Sequence, residues 1–213
     1  MSVHLRPEEI EAESFRIIDA EAGEHHWPQP EWQVVRRVIH TSADFDYCRS
    51  VLMSDDAVSA GVAALRGGWG LVTDTTMALS GINKRGLALH GVPAACFIAD
   101  PDVAAQGKEQ GITRSIVAMR RATTDPGNGI FVIGNAPTAL FELLRQVREE
   151  GLRPALVVGF PVGFVGAAES KEELVSVARE YGIPFITSQG RKGGSNVAAA
   201  VINALLILAG ESR

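Results

Sequence analysis

The sequence predicts a three-layer α/β fold, in which helices cover both faces of a parallel sheet of about five strands. From Gly68 onward, short apolar runs alternate with glycine-rich turns and helical segments, the pattern of repeated strand–helix units. These runs are nearly continuous, as expected of parallel strands buried on both faces. The length of 213 residues suits one domain. We therefore expect a single domain over residues 1–213, with a helical N-terminal part (1–67) and a sheet core (68–213).

The expected strands are 70–74, 94–98, 130–133, 155–159 and 184–187. Apolar residues at helical spacing, together with helix start and stop signals, predict helices at 7–22, 30–41, 55–66, 113–122, 137–150, 171–181 and 195–209. In the first helix, Ile10 and Ile17 lie on the expected apolar face, and Ser14 lies between them on that face. Ser170 with Glu173 has the spacing of a capping box, which predicts that the helix over 171–181 begins there.

The composition limits the classes of partner. The net charge is −5, with 20 basic against 25 acidic residues, which argues against general nucleic-acid binding. Cys48 and Cys96 are far apart in sequence, and we expect two reduced thiols in a cytoplasmic protein. The N-terminal residues are polar and acidic and predict no signal peptide. The longest apolar stretch, 197–209, is shorter than the ~20 residues of a membrane span, so we expect a buried helix and no membrane association.

Three loops after expected strands have an unusual composition. They are 134–138 (GNAPT), 159–170 (GFPVGFVGAAES) and 190–195 (GRKGGS), and each leads into a helix. Ligands of parallel α/β sheets bind at the carboxyl ends of the strands, where such loops expose N–H groups at positive helix ends. The loops therefore predict an anion site for carboxylate or phosphate groups, although glycine and proline could also serve only to make tight turns. None matches a phosphate-binding loop of a nucleotide-binding protein.

Two arginines support an anionic ligand. Arg191 lies in the last glycine-rich loop, and Arg114 follows Thr113 at the start of an expected helix. Guanidinium groups bind carboxylates in a bidentate manner. The alternative is that both side chains are solvated surface arginines.

His40 is the candidate for proton transfer, because histidine exchanges a proton near neutral pH. It lies at the end of the second expected helix, after Arg36 and Arg37. The spacing alone favours a structural histidine over a catalytic one. His25 and His26 have no further ligands at metal spacing, so we expect no metal site.

The sequence resembles the precorrin-8X methylmutase family, which includes the cobalt-precorrin-8 methylmutases of the anaerobic route. The resemblance covers essentially the whole chain, and its most specific segment is GFPVGFVGAAESK (159–171), accompanied by GNAPTAL (134–140) and GRKGGS (190–195). Shorter matches extend it to ESFRII (13–18), RVIH (37–40), Asp74 with Met77, and TRS (113–115).

The resemblance implies a flavodoxin-like fold and a homodimer with the active site near the dimer interface. It implies an isomerase of cobalamin biosynthesis, which moves a methyl group from C-11 to C-12 of an anionic corrinoid and yields hydrogenobyrinic or cobyrinic acid. No cofactor is expected, since a methyl shift needs a rigid pocket, carboxylate anchors and a proton donor.

The family's catalytic histidine falls on His40, which would donate a proton to the macrocycle and take one back. The other residues expected to bind substrate are Ser14, Arg37, Arg114, Asn135, Thr138, Arg191, Gly194 and Ser195.

Three points stay open at the level of sequence. Thr75 and Thr76 depart from the family pattern, so their roles are not assigned. A substrate with cobalt and one without cobalt fit equally well. A non-catalytic corrinoid-binding or carrier protein is the alternative function, and it would have no use for a proton donor at His40.

Overall fold

A computed structural model of the chain describes residues 6–210, so residues 1–5 and 211–213 lie outside the described structure. The helices are α1 (Pro7–Ala22), α2 (Gln29–Ser42), α3 (Tyr47–Ser50), α4 (Ala57–Arg66), α5 (Thr76–Gly81), α6 (Lys84–Leu89), α7 (Pro101–Gln110), α8 (Arg114–Ala122), α9 (Pro137–Glu149), α10 (Ala167–Tyr181) and α11 (Ser195–Gly210). The strands are β1 (Val51–Met53), β2 (Gly70–Thr73), β3 (Ala94–Ala95), β4 (Asn128–Ile133), β5 (Leu156–Gly159) and β6 (Phe185–Ser188).

The strands form one sheet in the order β1-β6-β5-β4-β2-β3, and all neighbours except β1 and β6 run parallel. The five parallel strands confirm the prediction of an α/β fold. When they are numbered along the chain without β1, their spatial order is 2-1-3-4-5, which is the flavodoxin-like order.

Two apolar cores cover the two faces of the sheet. One core joins the sheet to α2, α4 and α11, with Val35, Leu65 and Ile202 fully buried. The other joins it to α8, α9 and α10, with Leu143 and Val177 among its buried side chains. Nearly all residues of β2, β4, β5 and β6 are buried, which accounts for the continuous apolar runs in the sequence.

A sixth strand, β1, lies in the part of the chain where only helices were expected. It pairs antiparallel with β6, and Val51 lies opposite Ser188. Three residues are too few to show a strand pattern, so this strand depends on its pairing with β6.

Several helices also differ from the expectations. α10 begins at Ala167, after Gly166 in a left-handed conformation (φ 78°), and Ser170 lies inside it. The Ser170 hydroxyl donates to the Ala167 carbonyl at 3.1 Å, so the capping-box prediction was wrong. The unexpected helix α7 carries Pro101 in its first turn and Gly111 at its end, signals that could have revealed it.

The α1 helix confirms its predicted bounds, but much of its apolar face is at the surface. Ile18 is buried, whereas Ile10 and Ile17 are exposed by 47% and 41%. The helix packs on α2 through Phe15 and through a hydrogen bond from the Trp32 indole to Asp19. Within residues 6–210, no helix is both long and apolar enough to cross a membrane.

Candidate active site

The carboxylate of Asp74 organises the loop after β4. Asp74 follows β2 directly, is 3% exposed, and accepts the backbone N–H groups of Gly134 (2.8 Å), Asn135 (2.9 Å) and Ala136 (2.7 Å). Burial raises the pKa of this carboxyl group, and the three N–H donors act in the opposite direction. β2 and β4 are the neighbours at which the strand order reverses, so a ligand crevice is expected at this point.

A cavity of about 260 Å³ opens beside this loop. Its lining comes from the segments after β2, β3 and β4 and from the first turn of α8: Asp74, Thr75, Ile98, Thr113, Arg114, Ser115, Asn135 and Ala136. Arg114 and Asn135, predicted from separate segments, thus line the same cavity, and both side chains are exposed.

Thr138 belongs to a hydroxyl network behind this cavity. Its Oγ1 lies 2.8 Å from the Ser115 hydroxyl and accepts a hydrogen bond from the Thr113 hydroxyl at 3.1 Å. Thr113 in turn caps α8 by accepting the N–H of Ile116. The network fixes the first turn of α8, which begins at Arg114. Ser115 is 8% exposed and carries a structural role that the sequence analysis did not assign.

Ser195 connects the loop after β2 to the first turn of α11. Its hydroxyl lies 2.8 Å from the Thr75 hydroxyl, and Thr75 also caps α5 by accepting the N–H of Ala78. Gly134 must be glycine, because a Cβ there would lie 2.6 Å from the Ser195 Cα. Gly194 has φ 139° and donates its N–H to the Phe160 carbonyl at 2.9 Å. The Thr75 position, left unassigned by the sequence, is therefore a junction between loops.

His40 lies in the last turn of α2 with an exposed side chain. Its ring meets the ring of Phe15 edge to face, with the centroids 4.9 Å apart. The next residue, Thr41, accepts a hydrogen bond at 3.4 Å from the amide of Asn196, the neighbour of Ser195. The end of α2 that carries His40 thus contacts the first turn of α11.

Ser14 and Arg37 lie on the adjoining helices α1 and α2. The Ser14 hydroxyl donates to the Ile10 carbonyl at 2.8 Å, which leaves its oxygen lone pairs available as acceptors. The Arg37 guanidinium lies 5.1 Å from the Phe15 ring centroid and pairs with Glu11 at 3.0 Å. An anion bound by Arg37 would share that guanidinium with Glu11.

Arg191 extends from the loop after β6 and is exposed. Its guanidinium lies 5.5 Å from the ring centroid of Phe164, and its carbonyl accepts the Gly163 N–H at 3.3 Å, so the loops after β5 and β6 are in contact. In the described part of the chain, neither Arg191 nor Arg114 forms a salt bridge. Both guanidinium groups are free to bind carboxylates.

Within residues 6–210, no group of three or more His, Cys, Asp or Glu side chains is placed to hold a metal ion. The groups available for chemistry are an imidazole, two unpaired guanidinium groups and hydroxyls. Fold and site together define the class of α/β proteins with flavodoxin-like topology, whose ligands bind at the carboxyl ends of the strands.

The comparisons with known proteins agree with this class. The model of the precorrin-8X methylmutase family matches residues 9–208. The chain is 48% identical over 205 residues to the cobalt-precorrin-8 methylmutase of Priestia megaterium (96% of this chain, 89% of the relative). It is 42% identical over 200 residues to the precorrin-8X methylmutase of Pseudomonas aeruginosa (92% and 93%).

A solved structure resembles the whole fold. The precorrin-8X methylmutase of Thermus thermophilus superposes with a TM-score of 0.87 at 42% identity, covering 95% of this chain and 96% of that chain. The chain therefore belongs to the precorrin-8X methylmutase family. Its relatives are named as methylmutases, which are isomerases.

Proposed function

We propose that this protein catalyses the methyl shift from C-11 to C-12 of precorrin-8X or cobalt-precorrin-8, giving hydrogenobyrinic or cobyrinic acid. One observation carries the proposal beyond family membership. The exposed imidazole of His40 lies on the helix end that contacts the first turn of α11, where the three glycine-rich loops predicted to bind carboxylates come together. A proton donor beside several anion-binding groups is what this isomerisation requires.

The carboxylates of the substrate would bind at two parts of the site. Arg114 and the Asn135 side chain lie at the switch point, and Arg191 lies on the loop after β6. Thr138 and Ser195 would act through the hydroxyl networks that hold these loops. Ser14 and Arg37 would contact the substrate from the α1–α2 side, and Gly194 would let the ligand approach the backbone.

His40 would transfer the proton. In the proposed cycle it donates a proton to the macrocycle, the methyl group migrates from C-11 to C-12 within the ring, and the imidazole recovers the proton. Atoms and charge balance, because the product is an isomer of the substrate. The Phe15 ring, 4.9 Å from the imidazole, would hold its orientation.

We propose a homodimer as the working form. The cavity of about 260 Å³ lies below the usual size of small-molecule sites, so one chain would enclose only an edge of a corrinoid. Exposed apolar side chains, including Ile10, Ile17 and Phe164, are available for an interface. We also propose that residues 1–213 act as one domain in the cytoplasm, since a single family model spans 9–208 and both cysteines are free thiols.

The proposed function can be tested by ultraviolet–visible spectroscopy of the purified protein with precorrin-8X and with its cobalt form. The methyl shift extends the conjugation of the ring, so turnover should change the absorbance to that of the product. His40→Ala should bind the substrate and fail to convert it, because the carboxylate anchors stay in place.

The matched control is His26→Ala, a histidine packed against Trp27 rather than Phe15. It should retain turnover. Unchanged turnover in His40→Ala would refute the role of His40. Binding of both substrates by the wild-type protein without conversion of either would refute the activity and leave a carrier.

A further inference from the structure

A lysine ammonium group is buried beneath the loop after β6. Lys171 lies in the second turn of α10 and is 1% exposed. Its Nζ donates to the backbone carbonyl of Lys192 at 2.6 Å and to the Ser188 hydroxyl at 3.3 Å. Within residues 6–210 it forms no salt bridge with a carboxylate. Burial of an ammonium group without a counterion lowers the stability of the folded protein, so packing of the core does not explain why a lysine occupies this position.

The carbonyl that Lys171 holds lies in the middle of a loop that the proposed function needs. Arg191 precedes it, and the Gly193–Gly194–Ser195 turn follows it. Gly194 donates its N–H to the Phe160 carbonyl at 2.9 Å, and a Cβ on Gly193 would lie 2.3 Å from that same oxygen. The loop is therefore fixed downstream by Phe160 and held in its middle by the ammonium.

We propose that Lys171 is a positioning residue for substrate binding, which holds the Lys192 carbonyl so that Arg191 and the turn before α11 take the conformation that receives a substrate carboxylate. The proposal rests on the function proposed above. A charge-assisted hydrogen bond at 2.6 Å is a strong contact for this purpose. Lys171 does not need to touch the substrate in this role.

The charge of this ammonium depends on pH within the working range of an enzyme. Burial lowers the pKa of Lys171 to about 8. The charged groups around it lie on α10, on the loop itself and before α3: Glu172, Arg191, Lys192, Asp44 and Asp46. The last two carboxylates pair with the Lys192 side chain at 2.6 Å.

The direction of the pH effect follows from these contacts. Below about pH 8 the ammonium is charged and its hydrogen bond to the Lys192 carbonyl is strong. Above that pH the amine is neutral and the bond weakens, so the loop should bind the substrate less well. Lys171, Ser188 and Gln189 also line a cavity of about 360 Å³.

The test compares steady-state kinetics of the wild-type protein and Lys171→Met between pH 7 and pH 9. At pH 7 the variant should raise KM about tenfold and change kcat by less than about twofold, since a binding contact is lost and the proton donor is kept. The wild-type KM should rise above pH 8 toward that of the variant, whose KM should stay flat. Glu172→Gln, which neutralises the neighbouring exposed carboxylate, is the matched control and should keep the wild-type profile.

A second measurement does not depend on turnover. Hydrogen exchange followed by mass spectrometry at pH 7 should show faster exchange of the segment 189–195 in Lys171→Met, and unchanged exchange elsewhere. Failure of the wild-type protein to convert a corrinoid would refute the proposed function, whereas unchanged loop exchange would refute the role of Lys171.

The kinetics of Lys171→Met can also contradict the positioning role of Lys171. An unchanged KM, or a loss of kcat alone, in a folded Lys171→Met variant would overturn it. If that variant does not fold, the wild-type profile decides: a KM that stays flat between pH 7 and pH 9 contradicts the positioning role.

Discussion

The hydroxyl groups of Thr75 and Ser195 lie 2.8 Å apart, although 120 residues separate them along the chain. Thr75 lies in the segment after β2 and caps α5, and Ser195 begins α11. This hydrogen bond joins two of the loops that form the candidate site. Each hydroxyl also belongs to the start of a helix, so the pair sets the relative position of α5 and α11.

This relationship predicts an energetic coupling between the two positions. Thr75→Val and Ser195→Ala should each lower the free energy of unfolding by about 1 kcal/mol. The double variant should lose less than the sum of the two, by about 0.5 kcal/mol or more, because each single change already breaks the shared bond. Urea unfolding measures the cycle. Thr75→Ser keeps a hydroxyl and serves as the control. Strict additivity would show that the bond contributes nothing.

The hydrogen bonds from the loop after β4 to Asp74 lead to a second prediction, on protein stability and substrate binding. In Asp74→Asn an amide NH₂ group would face backbone N–H donors, so two donors would oppose each other. We expect a loss of about 1–3 kcal/mol in the free energy of unfolding and weaker substrate binding, because the loop carries Asn135. Asp125→Asn, at an exposed turn where the carboxylate accepts one N–H, is the control and should change stability little. Equal stability of the two variants would contradict the role of the Asp74 carboxylate in holding the loop after β4.

Arg191 predicts a salt-dependent contribution to binding. Arg191→Ala should raise the substrate KM about tenfold at low salt, because it removes an unpaired guanidinium from an exposed loop. The difference from the wild-type protein should shrink at high salt, where the attraction between exposed charges is screened. Arg179→Ala, on the exposed face of α10, is the control. A salt-independent loss would indicate that Arg191 acts through the shape of the loop.

Glu142 predicts a loss of stability in acid. This carboxylate is 5% exposed, and burial opposes its charge, but bonds from Arg145, Arg120 and Gln146 outweigh that and lower its pKa from 4.5 to about 2. The unfolded state therefore binds more protons between these pH values, and stability falls as the pH falls through them.

Glu142→Gln should cost about 3 kcal/mol at pH 7, and the difference should vanish near pH 2. Urea unfolding at several pH values checks this. Glu149→Gln removes an exposed partner of Arg145 and should have little effect. A difference that persists in acid would mean that packing, not charge, is the cause.

The parallel sheet, and the edge of it where the ligand is expected, could be predicted because each is encoded in short, continuous sequence patterns. Continuous apolar runs identified the five parallel strands, and the glycine-rich loops identified the edge at which Arg114 and Asn135 meet. The β1 strand was not predictable, since three residues gain their conformation from pairing with β6. The strand expected over 94–98 keeps only Ala94 and Ala95 in the sheet, because the chain turns away from Cys96 onward.

The supporting contacts of the site could not be read from the sequence for a related reason. The bonds of Asp74, Ser115 and Lys171 join residues that are far apart along the chain. Lys171 was expected at the start of a helix, and the structure places it in the second turn of α10 with its side chain buried. Such contacts exist only once the layers have packed together.

The two outermost strands of the sheet are also its shortest, with three residues in β1 and two in β3. A sheet edge presents unpaired backbone groups to which a strand of another molecule can add, and brief edges offer few of them. Within residues 6–210, β1 covers the side of β6 that would otherwise be open along four residues. We expect the folded protein to resist strand-mediated aggregation at concentrations where a chain with β1 disrupted, for example by Leu52→Pro, begins to form β-rich assemblies.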